Sequence, residues 1–382
     1  MTLTIICDVL GEENNGTTIA AMNLIRSMRA KGHTVKVICP DEFRRGEPDY
    51  FIAGTLNLGS YLNWRIKKNG VVLMKPDKEV LEKALEGTDA VHLLLPFCFS
   101  TWAIKRIREL GLPVTASFHC QAENLTSHLF VMNCHAVNRL VYKTFDRNVY
   151  RYVDRIHYPS QFICDTFESE IGHETPRVVI SNGVNRAFVP HPEEKPAEYK
   201  DRFVILFTGR YSKEKSHSLL IDAANLSKHR DEIQLIFAGS GPLEERIRRR
   251  SRKLPNQPLM KFFSREEMIR TINYSDLYVH PAEIELEAIA CLEAISCGLV
   301  PVINNSPRSA TRYFAHSEKN LFRFNDPADL AEKIDWWIEH PAERESCSRS
   351  YCGYSRQFDY SHCMDEMERM IEENAEAVNE AR

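Results

Sequence analysis

The sequence predicts an α/β protein of two doubly wound, parallel-sheet domains, and three observations predict it. Apolar runs of strand length alternate with amphipathic stretches of helix length along almost the whole chain. The strand runs are apolar throughout and do not alternate, as expected of a sheet that crossover helices cover on both faces. The alternation pauses once, at Asn185–Asp201, a proline-rich and charged segment without periodicity that reads as an interdomain linker.

In the first half, the apolar run Leu3–Val9 precedes a helical pattern over Thr17–Lys31, with Ile19, Met22, Leu24, Ile25 and Met28 at helical spacing. Strands follow at Thr34–Cys39, Asp89–Leu95, Pro113–Phe118, Arg155–Tyr158 and Arg177–Ile180, with helices over Ser100–Leu110 and Gln161–Glu170. In the second half, strands are expected at Phe203–Thr208, Ile233–Ala238, Leu277–His280, Val300–Ile303 and Leu321–Phe324. Helices start at Ser216 and Pro242, and another lies around Glu287–Cys297. The expected domains are 1–185 and 186–358, with an acidic helix over 359–382 that crosses back to the first domain. Ligands of such sheets bind beyond the carboxyl ends of the strands, so unusual residues there carry the search for function.

Composition narrows the class. The 49 basic and 53 acidic residues give a formal charge of −4, which excludes a nucleic-acid binder driven by bulk charge. No run approaches the roughly 18–20 apolar residues that span a bilayer. The start, MTLTIICDVL, has no basic region or small-residue cleavage site and reads as a first strand. Eleven scattered cysteines without a C-x-x-C motif suit buried thiols in a reducing, cytosolic setting better than disulfides or zinc.

Unusual residues do fall after strands. Glu285 and Glu293 have seven residues between them, ahead of Cys297-Gly298 and an apolar run. On one helix they would lie about 12 Å apart and roughly 80° around the axis, too far to work as a contacting acid pair. That spacing suits two ends of one extended ligand, such as a ribose and a hexose on either side of a diphosphate, since carboxylates accept hydrogen bonds from vicinal hydroxyls. A solvated acidic helix is the alternative. Thr208-Gly209-Arg210 and Lys215 follow a strand, where two cations can neutralise a pyrophosphate; an ordinary charged loop is the alternative. Gly239-Ser240-Gly241-Pro242-Leu243 ends the next strand, its glycines permitting close backbone approach. Gly16-Thr17-Thr18 opens the first helix, whose free N–H groups suit an anion. His119 follows the strand Pro113–Phe118, and Asn182-Gly183-Val184 closes the first half.

These segments together resemble retaining glycosyltransferase family four, which has the GT-B fold of two Rossmann-like domains facing across a cleft. Glu285 to Glu293 is similar to its E-x7-E signature, Gly209-Arg210 with Lys215 to its G-R-x4-K element, and Gly239–Leu243 to its G-x-G-P-L turn. The resemblance implies transfer of a hexose from a nucleotide sugar, UDP-glucose or UDP-galactose, with retention of configuration. It implies that Arg210, Lys215, Gly16, Gly239 and Gly241 hold the donor, with Glu293 on the ribose and Glu285 on the hexose. His119 would then stand beside the reacting sugar. The chain has no D-x-D motif, so no metal and no cofactor beyond the nucleotide-sugar co-substrate is expected, and Arg210 and Lys215 take the cation role. Two departures stand out: Asn14-Asn15-Gly16 replaces the usual paired glycines, and Leu286-Glu287-Ala288 replaces Gly-Phe-Gly.

The segment Phe118–His128 is similar to a bacterial subgroup that glycosylates membrane lipids, particularly diacylglycerol, which implies a lipid acceptor. Basic, aromatic stretches at Tyr61–Lys68, Phe97–Leu110 and Arg139–Arg155 fit an anionic membrane surface, or equally a solvated face over a core stripe. Residues 1–190 carry 22 basic and 20 acidic residues, leaving 27 and 33 for the rest, so the acceptor-side half is the more basic. The expected place is therefore cytoplasmic, peripheral on the inner face of the cell membrane. Transfer to a saccharide or lipid-linked saccharide, a silent binding subunit and a nucleotide-sugar epimerase stay open beside it.

Overall fold

The apolar runs form parallel strands in two separate sheets. The structure, a computed structural model, describes residues 1–8, 10, 16–57, 59, 72–127 and 131–382. It divides the chain into one unit of Met1–Asn182 with His362–Arg382 and another of Gly183–Ser361.

The first sheet holds β1 (Thr2–Ile6), β2 (Thr34–Cys39), β3 (Tyr50–Ile52), β4 (Ala90–Leu93), β5 (Val114–Ser117), β6 (Arg155–Tyr158) and β7 (Arg177–Val179). Their order is β3-β2-β1-β4-β5-β6-β7, all parallel. Its helices are α1 (Gly16–Ala30), α2 (Lys78–Leu85), α3 (Cys98–Glu109), α4 (Ala122–Ser127), α5 (His135–Asn148) and α6 (Gln161–Ile171). The second sheet holds β8 (Phe203–Thr208), β9 (Ile233–Ala238), β10 (Leu259–Lys261), β11 (Leu277–His280), β12 (Pro301–Asn304) and β13 (Leu321–Phe322), ordered β10-β9-β8-β11-β12-β13 and again parallel. Around it lie α7 (His217–Leu226), α8 (Glu244–Ser251), α9 (Arg265–Tyr274), α10 (Ile289–Ser296), α11 (Pro327–Glu339) and α12 (Pro341–Tyr354). Both orders double back from the first strand, which makes the doubly wound class predicted above. The reversal falls between β1 and β4 in one sheet and between β8 and β11 in the other, and such switch points are where ligands bind.

Local chemistry sets the helix ends. Ser264 and Glu267 form a reciprocal capping box on α9, and Asp326 caps α11 ahead of Pro327. The final helix, α13 (Tyr360–Glu380), lies in the first unit from His362 onward. There Glu368 sits 2.7 Å from His33 and pairs with Lys31, and Glu373 pairs with Arg155 at 3.2 Å.

Several expectations need correction. Tyr50–Ile52 and Leu259–Lys261 are edge strands of three residues that the alternation of runs did not include. The helix expected around Glu287–Cys297 begins only at Ile289, because Ala288 adopts a left-handed conformation (φ 68°) that α-helix cannot accommodate. The stretch Arg139–Arg155 does not form a single helix. The helix α5 stops at Asn148, Arg151 bonds Asp146 at 2.7 Å, and Arg155 already belongs to β6. Its aromatic neighbours Tyr142, Phe145 and Tyr150 are buried, and Phe118 stacks on Tyr150 at 5.2 Å and Tyr158 at 5.5 Å. These rings are core, which supports the solvated-face alternative for this stretch. In α3, Phe99 is likewise buried and Arg108 pairs with Asp154 at 2.8 Å, while Trp102 is partly exposed. Tyr61–Lys68 lies outside the described residues. No helix among the described residues is long and apolar enough to cross a membrane.

Candidate functional site

In the second unit, the switch point between β8 and β11 brings two of the predicted residues into contact. Lys215 ends a short 3-10 turn after β8, and Ser216 then takes a left-handed backbone (φ 52°) that turns the chain into α7. Glu285 lies on the loop after β11. Its backbone pairs with the β12 loop, accepting from Ala310 N–H at 2.9 Å. The Lys215 ammonium forms a salt bridge with Glu285 Oε1, and His280 Nε2 lies 3.2 Å from the same oxygen. Burial acts to raise the Glu285 pKa, but the Lys215 charge and the His280 hydrogen bond outweigh it, and the carboxyl is held down at about 2. Lys215 and Glu285 are therefore each other's counter-ions. Glu285 Oε2 accepts no hydrogen bond among the described residues.

Arg210 is half-buried, and burial pushes its pKa down while Glu214 opposes this; a guanidinium nonetheless stays charged. Glu293 sits on α10 and not on a helix shared with Glu285. Its carboxyl makes no hydrogen bond or ion pair among the described residues, and burial lifts its pKa to about 7 against a weak opposing pull from Arg265. The two glutamates thus stand in opposite electrostatic states, one ionised by a lysine and one half-buried with no hydrogen-bond partner among the described residues.

The glycine turn has a packing role that sequence did not show. A Cβ on Gly239 would come within 2.2 Å of Gly209 O, and one on Gly241 within 2.8 Å of Tyr211 N. Gly209 N–H donates to Ala238 O at 2.9 Å, and Tyr211 N–H to Ser240 O at 2.9 Å. These glycines let the loop after β9 close onto the Gly209–Tyr211 segment and so fix the backbone that carries Arg210.

In the first unit, Gly16 begins α1 just as expected, and a Cβ there meets nothing within 4 Å among the described residues. His119 follows β5, is mostly buried, and lies edge-on to His157 at 5.9 Å. Burial, then the neighbouring His157 and His92, hold its pKa well below the usual imidazole value.

Beneath His119 runs a buried chain that the sequence reading missed. His157 Nε2 is 2.6 Å from Ile180 O, and a carbonyl only accepts, so the proton is on Nε2. Burial holds His157 at about 4 despite that bond and His92 at about 3, so both rings are neutral. Nδ1 of His157 then accepts from Ser117 Oγ at 2.8 Å, Ser117 accepts from His92 Nε2 at 2.8 Å, and His92 Nδ1 accepts from Thr115 Oγ1 at 2.8 Å. Every tautomer is thereby set, and β4, β5 and β6 are tied together below the His119 strand end. Asp8, just past β1 at the other switch point, was also missed. It is fully buried, its Oδ2 lacks a hydrogen-bond partner among the described residues, and burial raises it to about 7 against N–H groups of Met74 and Phe99. The available signal was the same for Asp8, His92, His157 and His280: a polar residue within or just after a continuous apolar run.

Comparison with known proteins bears on the family and the fold. The family model described as glycosyl transferases group 1 matches residues 176–351, and that of Glycosyltransferase Family 4 matches residues 14–188. The alpha-monoglucosyldiacylglycerol synthase of Streptococcus pneumoniae is 23% identical over 233 residues, 57% of this chain and 52% of that protein. The chain therefore spans about half the length of that relative. The GDP-mannose-dependent alpha-mannosyltransferase of Corynebacterium glutamicum is 23% identical over 378 residues, 92% of this chain and 84% of that protein. Among solved structures, Anabaena HepE in complex with UDP and glucose superposes with a TM-score of 0.73 at 14% identity, covering 98% of this chain and 100% of that one.

Proposed function

Because the chain belongs to glycosyltransferase family four and has its GT-B fold, we propose that it moves a hexose from UDP-glucose or UDP-galactose to a membrane lipid such as diacylglycerol, with retention of anomeric configuration. The observation that carries the donor assignment is the Lys215–Glu285 pair at the β8/β11 switch point, within one unit that also holds Arg210 and Glu293. A lysine ammonium has three N–H donors, and Lys215 gives one to Glu285, which leaves two for a diphosphate oxygen. Lys215 and Arg210 stabilise the diphosphate as negative charge develops on it during departure. Glu285 Oε2 accepts from a hexose hydroxyl, and Glu293 accepts from the ribose hydroxyls.

No side chain is assigned as a covalent nucleophile. The departing phosphate takes the acceptor proton on the face it leaves, and neutral His119 orients the transferring sugar. With two protein cations on the diphosphate, the reaction requires neither metal nor cofactor, and enzyme treated with EDTA and desalted keeps its rate. The lipid acceptor is supported by the diacylglycerol named for the Streptococcus relative and by the Phe118–His128 segment. The peripheral membrane site follows from that acceptor.

The test is acceptor-dependent nucleotide release from UDP-glucose, UDP-galactose and GDP-mannose, with diacylglycerol in mixed micelles, a sterol and an oligosaccharide as acceptors, followed by NMR of the product anomer. An α-linked hexosyl diacylglycerol made from a UDP-hexose is the expected product. Turnover only with the oligosaccharide refutes the lipid acceptor, and turnover only with GDP-mannose refutes the donor. Turnover of the UDP-hexose with no acceptor present points to the epimerase alternative, and absence of turnover with every donor and acceptor points to the silent subunit.

A further inference from the structure

His280 carries no role in the mechanism above, yet it is the group most closely engaged with Glu285 besides Lys215. It ends β11 and is 1% exposed, so it has no opening through which to touch substrate. Its ring lies edge-on to Phe207 at 5.7 Å and 88°, and is stacked on Tyr278 at 5.9 Å and 28°. Tyr278 and His280 are two apart on a strand and share a face. This packing fixes the plane of the imidazole.

The proton on that ring is fixed as well. Its Nε2 faces Glu285 Oε1, which only accepts, so Nε2 bears the hydrogen and donates. Nδ1 is then an acceptor, and the Tyr278 hydroxyl donates to it at 3.4 Å. The chain Tyr278 O–H to His280 to Glu285 therefore has one direction. At its end, Oε1 of Glu285 receives both His280 and Lys215, while the Glu285 backbone is held by Arg308 O at 3.4 Å and Ala310 N–H at 2.9 Å.

We propose that His280, oriented by Tyr278, is a positioning residue that locks the Glu285 side chain so that Oε1 is committed to the protein and Oε2 faces the hexose of the donor. This deepens the donor-site assignment above and rests on it. Lys215 alone could not do so, because a flexible ammonium donates in any direction around a carboxylate, whereas a packed ring donates along one line.

The test is steady-state kinetics on the full-length enzyme with UDP-hexose, alongside UDP titration by calorimetry. His280→Leu is expected to lower kcat by 10- to 100-fold and leave the UDP affinity within about threefold, because UDP has no hexose to misplace. His280→Gln, which keeps an N–H donor, recovers kcat to within about fivefold of wild type. Tyr278→Phe removes only the hydroxyl, so it tests the chain even if His280→Leu does not fold, and it lowers kcat two- to fivefold. Wild-type kcat in the soluble His280→Leu or Tyr278→Phe protein overturns the proposal, as does a Gln variant no better than the Leu one. Glu285→Gln is the parent control. If it keeps wild-type kcat, the assignment of Glu285 to the hexose fails, and this proposal with it; if Glu285→Gln is impaired and His280→Leu is not, only the role of His280 fails.

Discussion

Glu293→Gln should make the protein more stable at alkaline pH and at the same time a poorer binder of nucleotide. The wild-type carboxyl ionises at about 7 in the folded chain against 4.5 for an ordinary glutamate. A raised folded value means that stability is fully present below about 4.5 and is lost as pH rises toward and through 7. The gap of two and a half pH units corresponds to a little over 3 kcal/mol at pH 8, and to less than about 1 kcal/mol at pH 5. Glu293 keeps some exposure to solvent, so about 2.5 kcal/mol between the two pH values is an upper bound. Glutamine has the same shape and no charge to desolvate. Urea denaturation of the ligand-free wild type and variant at pH 5 and pH 8 measures the difference directly. The variant should gain up to about 2.5 kcal/mol relative to wild type on going from pH 5 to pH 8. Its UDP affinity should fall roughly 10- to 100-fold, the loss of a charge-assisted hydrogen bond to ribose. A stability difference that is the same at both pH values, or that shrinks at pH 8, would refute the idea that this carboxylate is desolvated without compensation.

Two glycines, Gly239 in the second unit and Gly16 in the first, should respond in opposite ways. Gly239→Ala forces a Cβ to within 2.2 Å of Gly209 O and should destabilise by at least about 3 kcal/mol. Gly16→Ala meets nothing within 4 Å among the described residues, so its melting temperature should stay within about 2 °C of wild type while kcat/KM falls, and a matching loss of stability would contradict a role for Gly16 in binding alone. Ala288→Gly relieves a left-handed alanine (φ 68°) and should stabilise by about 0.5–1 kcal/mol in thermal denaturation; destabilisation would mean that the alanine side chain contributes more than its backbone strain.

How much of this was legible depends on range. Continuous apolar runs such as Phe203–Thr208 and Ile233–Ala238 announced buried parallel strands, because both faces of each strand are covered. The edge strands Tyr50–Ile52 and Leu259–Lys261 did not, whereas Arg177–Val179, equally short, was marked by its β-branched run Val178–Ile180. The residue types at the strand ends pointed to a diphosphate and two sugars, yet the contact between Lys215 and Glu285 joins positions 70 apart and exists only once β8 and β11 pair. The break at Ala288 was hidden for the opposite reason: alanine is a good helix former, and only the tertiary setting holds it at positive φ. The buried His92–Ser117–His157 chain was invisible because its members are spread over three strands and meet through sheet register. Which of its two readings the stretch Arg139–Arg155 takes was also hidden, since burial of Tyr142 and Tyr150 cannot be told from exposure by spacing alone.

The central claim is that Lys215, held by Glu285, receives the diphosphate of a nucleotide-sugar donor. Isothermal titration of UDP into wild type and Lys215→Met tests it most directly. The expected result is saturable binding by the wild type and an affinity at least tenfold weaker in the variant. Absence of UDP binding by the wild type, or equal affinity in the two proteins, would contradict it.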